Sequence, residues 1–153
     1  MADVFSIRPV AAGDRADWGR LWRGYLAFYR TELPEELYDT LFGRLMAPGE
    51  DGPFGLVAET GGASGGELVG LVHYLYHLHC WRPEGVVYLQ DLYVAPAARG
   101  KGVARGLIEA VYGAADAVGK PSVYWTTEAG NMPARMLYDR VGVLTPFVKY
   151  ARG

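Results

Sequence analysis

Cysteine is almost missing from this sequence. Cys80 stands alone among 153 residues, so no internal disulfide can form, which suits a reducing compartment. The net charge of −2 leaves no basic excess for binding nucleic acid. No apolar run approaches the roughly 20 residues that cross a membrane, and the first residues lack the basic and apolar regions of a signal peptide. These absences predict a soluble cytoplasmic protein whose partners are neither nucleic acid nor membrane.

What the chain does contain is an ordinary globular composition. Hydrophobic residues make up 50% of the sequence and aromatic residues 13%, which excludes a disordered chain and provides for a packed core. A length of 153 residues predicts one domain. Because the sequence shows neither an internal repeat nor a linker, we expect that domain to span residues 1–153.

A strand, a glycine-rich turn and a helix follow one another near the middle of the chain. Residues 86–94 are mostly β-branched, aromatic or aliphatic, and Pro96 closes the run, as is typical of a strand. Beyond the turn, apolar residues recur at three- and four-residue spacing, which places them on one helical face. They are Val103, Leu107, Val111, Ala115 and Val118.

The turn itself, residues 99–104 with the sequence RGKGVA, is predicted to bind an anion. The first N–H groups of a helix have no internal partner and carry partial positive charge. Gly100 and Gly102 lack side chains that would keep a phosphate away from the backbone. Formal positive charge is added by Arg99, Lys101 and Arg105. The sequence contains no P-loop motif, and an arginine stands where a dinucleotide fingerprint has its third glycine, so a nucleotide-binding protein rests on this turn alone.

The remaining elements are predicted from periodicity and from glycine and proline breaks. Strand–helix–strand order around the turn predicts that the strand after the helix runs parallel to the one before it. The predicted elements are a strand at 5–10, a helix at 18–33 stopped by Pro34, a helix from Glu35 to about Pro48, a strand at 54–59, a turn at 61–66, a strand at 68–77, a connection at 78–85, a strand at 123–127, a helix from Asn131, and a last strand at 147–150.

Two motifs in this order resemble the GNAT superfamily of acyl-CoA-dependent N-acetyltransferases. Residues 99–104 fit its pyrophosphate loop, [R/Q]-x-x-G-x-[G/A], and residues 131–138 fit its later segment, N-x-x-A-x-x-L-Y. Residues 88–94 and 137–140 look most like the diamine (spermidine/spermine) branch and its histone- and polyamine-acetylating relatives. The resemblance covers essentially the whole chain. It implies an α/β fold: a mixed, mostly antiparallel twisted sheet with helices on both faces and a central parallel strand pair splayed to hold acetyl-CoA.

The resemblance also implies which residues hold acetyl-CoA, the expected cofactor. The pantetheine arm would lie along the strand near Leu92 and Val94 like an added strand, with Asn131 bonded to it, and the pyrophosphate would rest on the N–H groups of residues 100–105. The implied cofactor-binding residues are Leu92, Tyr93, Val94, Arg99, Gly100, Lys101, Gly102, Val103, Ala104, Arg105, Asn131, Ala134 and Tyr138.

For the chemistry, the resemblance implies direct transfer with Tyr138 as general acid for the thiolate leaving group. It also implies a backbone N–H near Leu92, at a strand bulge, as the oxyanion donor. Asp91 is the candidate base or acceptor-binding carboxylate, and its other reading is a strand carboxylate that faces solvent or pairs with an arginine. Acceptor-pocket candidates are Glu32, Glu35, Gln90, Trp81 and Glu128.

The predicted activity is acetyl transfer to a small primary amine, with a polyamine first and a protein lysine or N-terminus second. Gln90 stands where the diamine branch usually has glutamate, which weakens the polyamine assignment. The alternative of another class is a non-catalytic acyl-CoA sensor. No metal is expected, because His73, His77 and His79 lack a further ligand of fixed spacing. Residues 147–150 could pair with a second subunit and form a homodimer.

Overall fold

A computed structural model describes residues 4–61 and 66–153. The predicted turn at 61–66 therefore lies largely outside the described residues, as do the first three residues. The elements are β1 (Phe5–Pro9), α1 (Arg15–Phe28), α2 (Glu35–Met46), β2 (Phe54–Thr60), β3 (Leu68–His79), β4 (Arg82–Val94), α3 (Val103–Ala117), β5 (Val123–Tyr124) and α4 (Met132–Val141), with 3-10 turns at Ala12–Asp14 and Pro96–Ala98.

The five strands form one mixed sheet in the order β1-β2-β3-β4-β5. All neighbours are antiparallel except β4 and β5, which run parallel and pair only at Val87–Val123 and Tyr88–Tyr124. The α/β prediction of a mostly antiparallel sheet with one parallel pair is confirmed. The described pair lies at an edge of the sheet rather than at its centre, because β5 is the last strand in the order.

Two hydrophobic cores, one on each face of the sheet, hold the helices in place. One face is covered by α1 and α2, whose buried Trp18 and Phe42 pack with Leu71 of β3. The other is covered by α3, whose Leu107 packs with Val72 of the same strand. Leu71 and Val72 face opposite sides because successive strand side chains alternate. This arrangement confirms the prediction of helices on both faces.

β3 and β4 form a long hairpin, so most of the predicted connection at 78–85 is strand. Near its middle the register shifts: His73 pairs with Asp91, but Tyr74 pairs with Leu89. Gln90 is the extra residue of a β-bulge in β4, since two residues of one strand oppose one of the other. The bulge expected near Leu92 is therefore present two residues earlier.

Helix α1 stops earlier than the predicted Leu33. After Phe28 the chain turns through Arg30, which has φ of 55°, and the N–H groups of Arg30 and Thr31 donate to the carbonyls of Ala27 and Leu26. This is the hydrogen-bond pattern of a Schellman C-cap. Periodicity alone extends the helix too far, because hydrophobic spacing continues through the residues that follow the cap.

The C-terminal part of the chain departs most from the predictions. The strand predicted at 123–127 is only two residues long, and the last strand predicted at 147–150 does not form. Phe147, Val148 and Tyr150 are instead in extended irregular chain and are 77%, 78% and 93% exposed. These residues have the composition typical of a strand. Among the described residues, however, no strand lies beside the segment for it to pair with. None of the helices in residues 4–61 and 66–153 has the length and apolar character needed to cross a membrane.

Candidate active site

A cleft opens where β4 and β5 stop pairing and diverge. Their pairing ends at Tyr88 and Tyr124, while β4 continues to Val94, so its outer edge beyond Tyr88 has no described strand beside it. The cleft has a volume of about 590 Å³ and is lined by the end of β4, the glycine turn, the first turn of α3, one face of α4 and the C-terminal part of α1. Of the residues expected to hold the cofactor, all except Lys101 line it.

The glycine turn presents the N-terminus of α3 to this cleft. Gly100 and Gly102 have φ of 79° and 84°, a left-handed conformation that other residues adopt only with strain. Gly102 is the N-cap, and the first helical bond runs from the Gly106 N–H to its carbonyl. The N–H groups of residues 103–105 precede that bond and Gly102 has no side chain to cap them, so they are available to an anion.

Basic side chains surround the same turn. The Nε of Arg99 donates to the Val94 carbonyl at 3.1 Å, and the guanidinium lies 5.7 Å from the centre of the Tyr93 ring. Arg105 is paired with Glu109 one helical turn later, at 2.9 Å. The Arg99 side chain is therefore held against the turn, where its charge adds to that of the helix N-terminus.

Helix α4 contributes Asn131 and Tyr138 from the opposite wall. Oδ1 of Asn131 accepts the Ala134 N–H at 3.4 Å and caps the helix, which leaves its amide NH₂ to donate to a ligand. The Tyr138 ring packs edge-on against Trp125 at 5.5 Å. Burial, with a smaller contribution from Tyr29, raises the pKa of Tyr138 to about 12. The phenol therefore keeps its proton at neutral pH and can serve as a proton donor.

Asp91 lies next to the bulge and is part of a buried hydrogen-bonded group. Its Oδ2 is 3.1 Å from Nδ1 of His73, and Nε2 of His73 accepts from Nε1 of Trp18 at 3.0 Å. Burial, the charge of Asp91 and a hydrogen bond to it all raise the pKa of Tyr25, which lines the cleft. Asp91 therefore neither faces open solvent nor pairs with an arginine.

The charges of both Asp91 and Glu128 act on the Tyr29 side chain. Burial raises the pKa of Tyr29, followed by the charges of Glu128 and Asp91, so both carboxylates lie close enough to act on its hydroxyl. Tyr29 itself lines the cleft. Two negative charges thus act on Tyr29 in the wall of the cleft, and negative charge there suits a positively charged amine.

Other predicted acceptor residues lie elsewhere. Glu35 pairs with Arg15 and Arg23 and lines a second cavity between α1 and α2. Trp81 is 81% exposed in the β3–β4 turn, roughly 30 Å along the chain from Gln90 at ~3.3 Å per residue. Neither residue is part of the cleft. The Glu35 carboxylate is engaged on the outer side of α1, and Trp81 lies at the distant end of the long β3–β4 hairpin. Gln90 and Glu32 are exposed, at the bulge and in the α1–α2 loop.

The histidines do not form a metal site. His73 is bonded to Trp18 and Asp91, and His77 is bonded to Tyr124. His79 accepts the Trp81 N–H. No group of three or more potential metal ligands comes together within the described residues.

The sequence reasoning missed Trp18, His73 and Tyr25 as members of the site. Their spacing predicts Trp18 and Tyr25 only as part of the apolar face of α1, and it offers His73 only as a candidate metal ligand. Trp18 and His73 are 55 residues apart, and His73 and Asp91 are 18 apart. Nothing in their spacing signals the contact, since only the pairing of β3 with β4 and the docking of α1 bring them together.

Comparison with known proteins identifies relatives of the chain. Residues 18–143 match the model of the acetyltransferase (GNAT) family. A D-amino-acid N-acetyltransferase of Saccharomyces cerevisiae is 41% identical over 152 residues, covering 98% of this chain and 91% of that protein.

Solved structures share the fold at lower identity. A ribosomal-protein-alanine N-acetyltransferase from Brucella melitensis biovar Abortus aligns with a TM-score of 0.76 at 17% identity, over 98% of this chain and 99% of that one. An aminoglycoside N-acetyltransferase in complex with CoA aligns with a TM-score of 0.77 at 19% identity, over 100% of this chain and 97% of that one.

Proposed function

Because the chain belongs to the GNAT acetyltransferase family and is an N-acetyltransferase, we propose that it acetylates the amino group of a small amino acid. The observation that carries this proposal is the 41% identical relative, which is named for acetylating D-amino acids and which this chain matches along nearly its whole length. Enzymatic activity replaces the alternative of a non-catalytic acyl-CoA sensor.

Acetyl-CoA is the cofactor, and the cleft fits it. The helix N-terminus at Gly102 and the charge of Arg99 suit a pyrophosphate. The free edge of β4 near Leu92 and Val94 suits an extended arm with amide groups, and the Asn131 amide is a further donor. When bound, acetyl-CoA supplies an acetyl group activated as a thioester.

Tyr138 is the proposed general acid. It carries its proton on the phenol oxygen across the physiological pH range, because its pKa is raised to about 12, and it would give that proton to the departing sulfur. The backbone N–H groups beside the bulge at Gln90 are the proposed donors to the oxygen that gains negative charge, since the bulge releases them from regular strand pairing.

Asp91 is the carboxylate that we propose binds the ammonium group of the acceptor. An alkyl ammonium group has a pKa near ~10, so the amine arrives positively charged and must pass a proton to Asp91 or to water before it attacks. Asp91 and Glu128 both act on Tyr29 at the edge of the cleft, where their charge favours the ammonium ion. The same pair of carboxylates supports a second candidate, a diamine or polyamine, whose two ammonium groups would each have a partner.

A panel assay separates these acceptors. Free thiol released from acetyl-CoA is measured with D-amino acids, the matching L-amino acids, spermidine, putrescine and a lysine peptide, with Tyr138→Phe as the inactive control. We expect release with amino acids and none with the peptide. Release with polyamines alone would make the diamine the acceptor. Release with the peptide alone would contradict a small acceptor.

We also propose that the chain forms a homodimer through residues 143–150. This segment exposes Val143, Leu144, Phe147, Val148 and Tyr150, and β5 lies at the edge of its own sheet. A second copy of the segment would cover the apolar side chains and supply the strand partner that β5 lacks among the described residues.

Sedimentation of the full chain tests the dimer. We expect the wild type to sediment as a dimer and Phe147→Glu to sediment as a monomer, because a charge in the paired segment has no partner. Leu78→Glu is the matched control, since Leu78 is 91% exposed at the far end of the β3–β4 hairpin. A monomeric wild type would contradict the proposal.

A further inference from the structure

A row of polar side chains crosses the core between α1 and the sheet. Trp18 of α1, His73 of β3 and Asp91 of β4 follow one another at 3.0 Å and 3.1 Å. His73 is 2% exposed and lies against the rings of Trp18 and Trp22, at 5.9 Å and 5.1 Å between centroids. Polar groups in such surroundings persist only when they are fully hydrogen-bonded. This row therefore has a fixed arrangement of protons.

The position of each proton follows from which groups can donate and which can accept a hydrogen bond. The indole N–H of Trp18 can only donate, so Nε2 of His73 must offer a lone pair. The proton of the neutral ring is then on Nδ1, which points at Asp91 and donates to it. Tyr25 faces Asp91 from the cleft side, where burial and the charge of Asp91 raise the pKa of its phenol. Asp91 thus accepts the hydrogen bond of the buried histidine, and the protonated phenol of Tyr25 lies beside it.

The row is also closed to proton transfer. A proton moved from Asp91 to His73 would have to leave through Nε2, and the Trp18 N–H occupies that position. Indole has no lone pair with which to pass a proton onward. His73 therefore does not extend Asp91 into a relay. What it can do is hold the Asp91 carboxylate in one orientation.

On the basis of the proposed acetyl transfer to an amine, we propose that His73 is a positioning residue that fixes the Asp91 carboxylate in the orientation that meets the acceptor's ammonium group. Trp18 locks His73 in the tautomer that does this. The titratable groups that face the row are Tyr25 on α1, Tyr29 just after that helix and Asp91 on β4, and the charge of Glu128, in the loop before α4, acts on Tyr29.

Steady-state kinetics with acetyl-CoA and a D-amino acid, or spermidine where the panel favours it, test the role. We expect His73→Leu to raise the acceptor KM about tenfold, since a hydrogen bond to a charged group is lost, with the acetyl-CoA KM unchanged. His73→Asn keeps an N–H donor at the δ position and should recover most of the loss. His79→Asn is the matched control, because His79 lies at the distant hairpin turn.

A double-mutant cycle separates positioning from plain support of the fold. Where His73 acts through Asp91, adding His73→Leu to Asp91→Asn costs no further kcat/KM. Fully additive losses, or a His73→Asn variant as impaired as His73→Leu at the same melting temperature, would overturn the proposal.

A measurement without substrate keeps the two proposals distinguishable. Nitrogen NMR of the wild type at neutral pH should show His73 as the Nδ1–H tautomer, and Trp18→Phe should let the Nε2–H tautomer appear. An Nε2–H tautomer in the wild type would refute the row whatever the acceptor is. An unchanged acceptor KM in Asp91→Asn, with the NMR as expected, would instead refute the proposed role of Asp91.

Discussion

The two halves of the cleft are built in different ways. The half proposed for the cofactor comes from two short stretches, Leu92 to Arg105 and Asn131 to Tyr138, and it offers chiefly backbone groups at a strand edge and a helix N-terminus. The acceptor half comes from side chains on α1, β3, β4 and the loop before α4. Backbone recognition demands particular residues at fixed spacing, chiefly glycine. A side-chain network demands only that distant residues meet.

This difference indicates that substrate specificity can change through substitutions in the acceptor half of the cleft. An altered side chain in the acceptor half leaves the backbone of the cofactor half intact, because the two meet only along β4 and at Tyr25 and Tyr29. Site and fold are separable in this sense. Substitutions should therefore sort into those that alter one substrate's KM and those that alter the other's.

The largest effect is expected at Tyr138, in the cofactor half. Tyr138→Phe should lower kcat by about 10² to 10³ with little change in either KM, because it removes a proton donor used in the chemical step. Since the pKa of Tyr138 is raised to about 12, the wild-type rate should show no decline from loss of this proton below about pH 11. Tyr76→Phe on β3 is the control. Equal rates for Tyr138→Phe and wild type would contradict the general-acid role.

An intermediate effect should be confined to the cofactor half. Gly102→Ala introduces a Cβ where φ is 84°, which strains the turn by roughly 1–2 kcal/mol, and we expect the acetyl-CoA KM to rise about tenfold. Gly119→Ala has comparable strain, at φ of 73°, but lies beyond the far end of α3. Calorimetry should show weaker CoA binding in Gly102→Ala only. Equal CoA affinities in the two variants would show that the turn does not hold the cofactor.

The smallest effect on activity is expected from substitution of Asp14, which anchors the start of α1. Asp14 accepts from Arg8 at 2.7 Å and from the Ala11 N–H. Asp14→Asn should cost about 1–3 kcal/mol of unfolding free energy, because a charge-assisted bond is lost. Urea unfolding measures this loss. Asp17→Asn, on the exposed side of α1, is the control and should cost less. Equal losses in both variants would contradict the anchor.

The same carboxylate gives a pH dependence of stability. The hydrogen bond from Arg8 lowers the pKa of Asp14 below its ordinary value. Its contribution is therefore present above the unfolded-state pKa near ~4 and is lost as the pH falls through the lower folded-state pKa. In Asp14→Asn the stability should fall less steeply over that acidic range. An unchanged slope would show that Asp14 is not responsible.

Sequence reasoning succeeded where structure is local. The strand into the glycine turn, the start of α3 after that turn and the face of α4 that carries Asn131 and Tyr138 all follow from residue type and spacing. It failed where contacts are distant or where an edge is left open. The Trp18–His73 contact needs the docked helix, and the segment at 147–150 has strand composition without a described strand to join.

The bulge at Gln90 decides which way Asp91 faces. Val87 and Leu89 pack in the core beneath α3, and strict alternation would send Asp91 to that same apolar side. The one extra residue reverses the parity of the strand, so Asp91 faces His73 and Trp18 instead. Residue 90 can thus vary in kind but not in number: removing it would bury a bare carboxylate beneath α3 and turn Leu92 and Val94, which pack there, toward the face that α1 covers.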